Sequence, residues 1–224
     1  MAKHSKRFRA LAEKLDREKR YPLEEAVALL KEHGNNTFDA GVELHVRVGI
    51  DVKQSDQQVR GNVSLPHGTG KKQRIVAITQ NPTAAEKAGA AKAGGEELIK
   101  EIQGGFMDFD VLVAEPAFMP KLAPAAKILG PRGLMPSPKN GTVSPDVASA
   151  IDELSKGKVT FKNDNTGNVH LLAGKTSFTD EQLKENLQAA YDAIKASRPA
   201  ASKGSFILNA TVASTMGPGI KIEL

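Results

Sequence analysis

The stretch 42-VELHVRVGI-50 sets Val42, Leu44, Val46, Val48 and Ile50 at every second position, with Glu43, His45 and Arg47 between them. Successive side chains on a strand point to opposite faces, so this spacing predicts a half-buried strand with one apolar and one polar face. Two later stretches read differently: 75-IVAIT-79 and 111-VLVA-114 are short, nearly unbroken apolar runs. Strands covered on both faces read that way, as in parallel sheets flanked by crossover helices. The chain therefore carries two kinds of sheet.

Working outward, Phe8, Leu11, Ala12 and Leu15 recur at helical spacing and predict a helix over residues 5–20 with a basic outer face. Pro22 is expected to open a second helix, with Glu24 and Glu25 near its positive end and Gly34 as its cap. Thr83 and Glu86 have capping-box spacing ahead of an Ala-rich helix running to about residue 93. Leu122, Ala126 and Leu129 predict another helix. Residues 144–146 start a third, with the stripe Val147, Ile151 and Leu154 and Gly157 as its stop. Strands alternating with helices indicate a small parallel α/β domain.

After Gly157 the pattern reverts. Residues 159–161 and 168–172 flank 163-NDNTG-167 as a hairpin, and Thr179 with Gln182 boxes a helix whose stripe is Leu183, Leu187, Tyr191 and Ile194. Residues 206–212 form a strand, 215-TMGPG-219 turns, and 220–222 follow as a short tail. The simplest organisation is an α/β protein with an interrupted domain: 1–67 pairs with 158–224, and 68–157 is inserted. A tandem of two domains with a boundary near residue 70 competes with it.

The chain has 224 residues and a formal charge of +5. Residues 1–20 hold eight basic and three acidic residues, and the remainder holds 23 of each sign, so the excess sits in one short arm. A basic arm favours a polyanionic partner. The absence of cysteine excludes disulfides, thiol nucleophiles and cysteine metal sites. Nothing approaches the ~20 apolar residues of a membrane span, and the basic N-terminus lacks the apolar core of a signal peptide. A soluble intracellular chain without a membrane role is the expectation. Aromatic content of 4% with no tryptophan disfavours a broad base-stacking platform.

The candidate chemistry is sparse. His67–Lys72 reads HGTGKK, but a phosphate loop needs glycine where Leu65 stands and a hydroxyl where Lys72 stands. The segment is either a flexible interdomain crossing or a backbone contact to an RNA phosphate. In 130-GPRGLMPSPKNGTV-143, Arg132 and Lys139 could touch a phosphate backbone, or the loop could be a rigid cap on the insert. His4, His33, His45, His67 and His170 show no metal-ligand spacing, and His45 reads as a surface or structural residue. His170 with Lys162, Asn163 and Asp164 offers donors and acceptors for sugar, phosphate and base edges. The segment 214-STMGPG-219 has no GxSxG elbow, and Asp51, Asp56 and Asp164 are scattered. No catalytic residue, metal or cofactor is assigned.

These motifs resemble the universal L1 ribosomal protein family in its bacterial form, essentially along the whole chain. The resemblance is carried by 51-DVKQSDQQVRGNVSLPHGTGK-71, 130-GPRGLMPSPKNGTV-143, 158-KVTFKNDNTGNVH-170 and 214-STMGPGIKI-222. It implies a split α/β domain I with an inserted Rossmann-like, three-layer α/β domain II, and a non-catalytic protein of the cytoplasmic ribosome. It further implies binding of 23S rRNA in the mobile L1 stalk of the large ribosomal subunit, help with movement and release of deacylated tRNA at the E site, and translational repression through the chain's own operon mRNA. The protein itself would be monomeric. The RNA surface carried over by the resemblance falls on Phe38, Lys162, Asn163, Asp164, Gly167, His170, Ser214, Thr215, Met216 and Gly217. Thr215 would address sugar and phosphate, and Phe38 and Met216 would make apolar contacts. Lys3, Lys6, Arg7, Arg9 and Arg60 would add accessory charge. Ser137 stands where many members have Asn, and Lys162 where many have Arg, which keeps the charge but loses the planar fork.

Overall fold

A computed structural model describes residues 5–16, 18–33, 38–71 and 73–223, without the side chains of His33, Ser55 and Lys139. In chain order its first elements are α1 (Lys6–Glu13), β1 (Tyr21–Pro22), α2 (Leu23–His33), β2 (Gly41–Val48), β3 (Arg60–Ser64), β4 (Ile75–Ile78), α3 (Pro82–Lys87), β5 (Lys92–Gly94), α4 (Glu96–Gln103) and β6 (Val111–Ala114). Then come α5 (Met119–Leu122), α6 (Ala126–Leu129), α7 (Val147–Ser155), β7 (Lys158–Lys162), β8 (Asn168–Lys175), α8 (Asp180–Ala196), β9 (Ile207–Ser214) and β10 (Ile220–Glu223). They separate into two compact units. One takes the described residues up to Gly70 and those from Val159 on, and the other spans Lys71–Lys158.

In the discontinuous unit a sheet runs in the order β1-β10-β9-β2-β8, antiparallel except for β1 beside β10. Val42, Leu44, Val46 and Val48 of β2 are buried, as are Val169, Leu171 and Ala173 of β8. They pack with Ala26, Val27 and Leu30 of α2 and with Leu183, Leu187, Ala190 and Ile194 of α8 in one core. Thr179 and Gln182 cap α8 reciprocally, as the spacing predicts. Burial on one face leaves Glu43, His45 and Arg47 on the other.

The unit Lys71–Lys158 is built on a parallel sheet of order β5-β4-β6. Val76 and Ile78 face α4 and the 118–129 segment, while Ile75 and Ala77 face α3 and α7. That arrangement makes three layers. The 130–143 loop is bonded into this unit. Ala114 donates its N–H to Thr142 O at 3.0 Å, Val143 bridges Ala114 in parallel, and Arg132 Nη1 meets Met107 Sδ at 2.7 Å.

Several local expectations are corrected. The first helix stops at Glu13, because Asp16 N–H bonds to Tyr21 Oη and Glu18 N–H to Asp16 Oδ1. Those side-chain bonds compete with another helical turn. Pro22 pairs with Glu223 in β1 instead of opening α2, and Gly34 lies outside the described residues. Thr83 and Glu86 form no box: the cap is Asn81, Pro82 takes the first turn, and α3 ends before Gly89, whose φ is +103°. Residues 92–94 then pair with β4, so tertiary pairing overrides the helical composition. Pro116, Pro120 and Pro124 break the expected helix near Leu122 into short turns, since proline offers no N–H to the ladder. The 163–167 loop does not close a simple hairpin. β7 pairs with β3 and β8 with β2, leaving a single bridge between Asn163 and Val169.

Candidate nucleic-acid interface

The open face of β8, β2 and β9 positions most of the candidate residues, in two groups at opposite ends of β2. From Gly41 to Val48 that strand spans roughly 23 Å at ~3.3 Å per residue. At the Gly41 end, Phe38 is 48% and Met216 62% exposed. Large apolar side chains left this open invite a partner surface.

Thr215 clasps this end to β2. Its N–H donates to Gly41 O at 3.0 Å, and Gly41 N–H donates to Thr215 Oγ1 at 3.0 Å. The hydroxyl hydrogen in turn reaches Gly41 O at 3.3 Å, so one hydroxyl lone pair is left to accept from a sugar hydroxyl. Ser214 is buried. A Cβ on Gly217 would lie 2.2 Å from Ser214 Oγ, so a side chain there requires the Ser214 hydroxyl to turn away. Asp39 beside Phe38 accepts from Ser177 N–H at 3.0 Å and Ser177 Oγ at 3.0 Å, which fixes the entry to β2.

At the Val48 end, Asp164 organises its own turn. Its carboxylate accepts from Thr166 Oγ1 at 2.6 Å, Asn168 N–H at 2.7 Å and Thr166 N–H at 2.8 Å. The Thr166 hydroxyl first, and then the Asn168 amide, hold this carboxyl far below the usual carboxylate range. Asn163 is buried, with Oδ1 accepting from Val59 N–H at 2.9 Å and Nδ2 donating to Asp164 O at 3.0 Å. Both side chains therefore orient the loop. Gly167 has φ +80° and accepts from Val48 N–H at 2.9 Å. Lys162 stands exposed beside them.

Between the two ends sit His45 and His170, directly opposite one another in the β2–β8 register. Their Nδ1 atoms are 2.8 Å apart and the rings meet edge to face. Glu43 Oε2 lies 3.6 Å from His45 Nε2, and Asp164 Oδ2 lies 3.6 Å from His170 Nε2. Burial, and then His170, push the His45 imidazole down, against an opposing pull from Glu43. Sequence reasoning kept His45 apart from His170. Only the β2–β8 register joins them, and a histidine at the centre of each strand's polar face was the available signal.

The accessory charges are dispersed. Lys6, Arg7 and Arg9 are exposed on α1; its Phe8 and Ala12, with Leu15 just beyond its end, line a pocket of about 290 Å³ together with Thr211, Gly219 and Lys221. Arg60 lies on β3 with Nη2 at 2.6 Å from Gln58 Oε1, and Lys3 lies outside the described residues. In the HGTGKK segment His67 and Gly68 are tied down, while Lys72 lies outside the described residues: His67 N–H donates to Asn186 Oδ1 at 3.1 Å, and Asn186 Nδ2 donates to Gly68 O at 2.9 Å and Ala173 O at 2.7 Å. Asn186 is fully buried, and the helical stripe reading passed over it as a polar residue. Among the described residues no cluster of three or more His, Cys, Asp or Glu could hold a metal, and no helix is long and apolar enough to cross a membrane.

A discontinuous α/β unit with a polar sheet face, apolar side chains exposed at one end and a basic helix at its edge, together with a second unit on a parallel sheet, defines a protein of two-unit α/β architecture. Residues 30–218 match the model of the Ribosomal protein L1p/L10e family. The chain is 49% identical over 227 residues to the large ribosomal subunit protein uL1 of Fervidobacterium nodosum, covering all of this chain and 97% of that protein. The uL1 proteins of Deinococcus radiodurans (49%, all of this chain, 97% of the relative) and Mesoplasma florum (49%, all of both) are similarly close. This chain belongs to the L1 ribosomal protein family, a family of non-enzymatic proteins.

Proposed function

We propose that the chain is a component of the large ribosomal subunit whose discontinuous unit binds 23S rRNA through the open face of β8, β2 and β9. The observation that carries this reading is the Gly41 end of the face. There Phe38 and Met216 stand exposed beside a Thr215 hydroxyl with one free lone pair and a Gly217 whose bare backbone lies against Ser214 Oγ. RNA is recognised through such mixtures of apolar contact, sugar hydroxyls and close backbone approach. The basic arm adds salt-dependent affinity, and the 162–170 region adds Lys162 and His170. Family membership and full-length similarity to uL1 proteins support the assignment to the ribosome.

On the same reading the chain forms the mobile L1 stalk, assists movement and release of deacylated tRNA at the E site, represses translation from its own operon mRNA and acts as a monomer. The units serve as an RNA-binding domain and an inserted domain. Footprinting on 23S rRNA and on the operon transcript tests these roles together. A shared protected motif is expected, and protection of the rRNA alone removes the repressor role. In a folded Thr215→Val chain, affinity for 23S rRNA at fixed salt falls by about 1–3 kcal/mol, the range for a lost buried polar bond. Unchanged affinity removes Thr215 from the interface.

A further inference from the structure

His45 and His170 form a chain of four groups, from the Glu43 carboxylate through two imidazoles to the Asp164 carboxylate. Proton counting decides what it holds. Nitrogens 2.8 Å apart need one N–H and one lone pair between them. If both rings are neutral, the ring donating through Nδ1 has a bare Nε2, which then points at a carboxylate. One extra proton removes the conflict: both Nε2 atoms carry hydrogen toward carboxylates, and the single Nδ1–H still bridges the rings. A second extra proton places two N–H groups head to head and breaks the bridge. From this geometry we infer that His45 and His170 act as one unit holding a single shared proton at the centre of the open face, and that polyanion binding to this face depends on that proton.

His45, the more enclosed ring, supplies the lone pair. It is a positioning residue for His170, whose side chain is 52% exposed. Charge gives the direction. Glu43, Asp164 and the protonated pair sum to one negative charge, and losing the proton makes it two, which repels RNA phosphates. The other charged groups that the strands put on this face are Arg47 of β2 and Lys221 and Glu223 of β10. RNA affinity therefore rises as falling pH loads the shared proton and falls as rising pH removes it. The inference rests on the open face being the RNA surface, so its test has one arm without RNA.

Imidazole proton NMR on the free, full-length chain is expected to show the His45 and His170 ring signals moving together in two shared steps. Two independent single-step curves overturn the shared proton, whatever RNA does. In the second arm, affinity for a 23S rRNA transcript is measured at constant ionic strength from pH 6 to 8.5. It is expected to weaken with pH by at most about tenfold per unit, the limit for one proton. His45→Gln and His170→Gln flatten the profile, and Glu43→Gln, which takes one negative charge off the face, binds more tightly at pH 8. A flat wild-type profile overturns the coupling to RNA even when the NMR steps are paired. Absence of binding at every pH overturns the RNA reading and the coupling together, leaving the NMR result to decide the proton.

Discussion

Replacing Asn186 by leucine removes three hydrogen bonds while keeping a side chain of similar volume. The amide is fully buried, accepting from His67 N–H and donating to Gly68 O and Ala173 O. The Ala173 end is buried, so its loss leaves a dry acceptor, at about 1–3 kcal/mol. The His67 and Gly68 ends are half-buried and recover some water, at about 0.5–1 kcal/mol each on the same scale. The sum is roughly 2–5 kcal/mol. With a urea slope of ~2 kcal/mol/M, a loss of about 3 kcal/mol lowers the midpoint by about 1.5 M. The assay is simple, because the chain has two tyrosines and no tryptophan. Tyr21 and Tyr191 both lie in the discontinuous unit, so tyrosine fluorescence reports that unit alone. Asn186→Asp keeps the acceptor but loses both donated bonds and buries a charge, and is expected to cost more than leucine. A leucine variant within 0.5 kcal/mol of wild type, or an aspartate variant milder than leucine, would refute the clamp.

Other outcomes follow from single residues. Gly167→Ala forces a left-handed residue and sets a Cβ 3.3 Å from Val48 O, and is expected to cost about 1–2 kcal/mol in urea melts followed by tyrosine fluorescence. Asp164 has a depressed carboxyl in the folded chain, so its stabilisation is present above the unfolded value of ~3.9 and is lost as pH falls below it; acid titration of Asp164→Asn should show a shallower loss below pH 4. His45 is also depressed, so folding stability declines as pH drops through ~6.5, a decline that His45→Gln removes in melts at pH 5 and 7. Neutralising Lys3, Lys6 and Arg7 together lowers the salt slope of RNA binding by up to about three with little change in sequence preference; a selective loss for 23S rRNA would contradict an accessory role.

What could be read from the sequence followed local physics. The alternation in β2, the apolar runs of β4 and β6, and the Thr179–Gln182 box each signal their own structure. The failures lie where distant segments decide. Residues 92–94 form β5 because β4 offers an edge, and their Ala-rich context points to helix. The segment 158–170 carries strand pattern on both sides of a turn, yet its two strands go to different sheets. The candidate site divides in the same way. Phe38, carried over by the family resemblance, stands exposed, as do Met216 and Lys162, whose segments the sequence also singled out by residue type. The structural duty of Asn163, the clamp at Asn186 and the pairing of His45 with His170 depend on partners far away in the chain. Strand register supplies those, and composition does not.

The central claim is that the Gly41 end of the open face touches 23S rRNA, and affinity of the Phe38→Ala, Met216→Ala double variant tests it most directly. Both side chains are exposed, so the folded chain should melt as wild type does. At fixed salt the variant is predicted to bind a 23S rRNA transcript at least ~10-fold more weakly, given ~1–3 kcal/mol for an aromatic contact to a base. Wild-type affinity in the folded double variant would contradict the account.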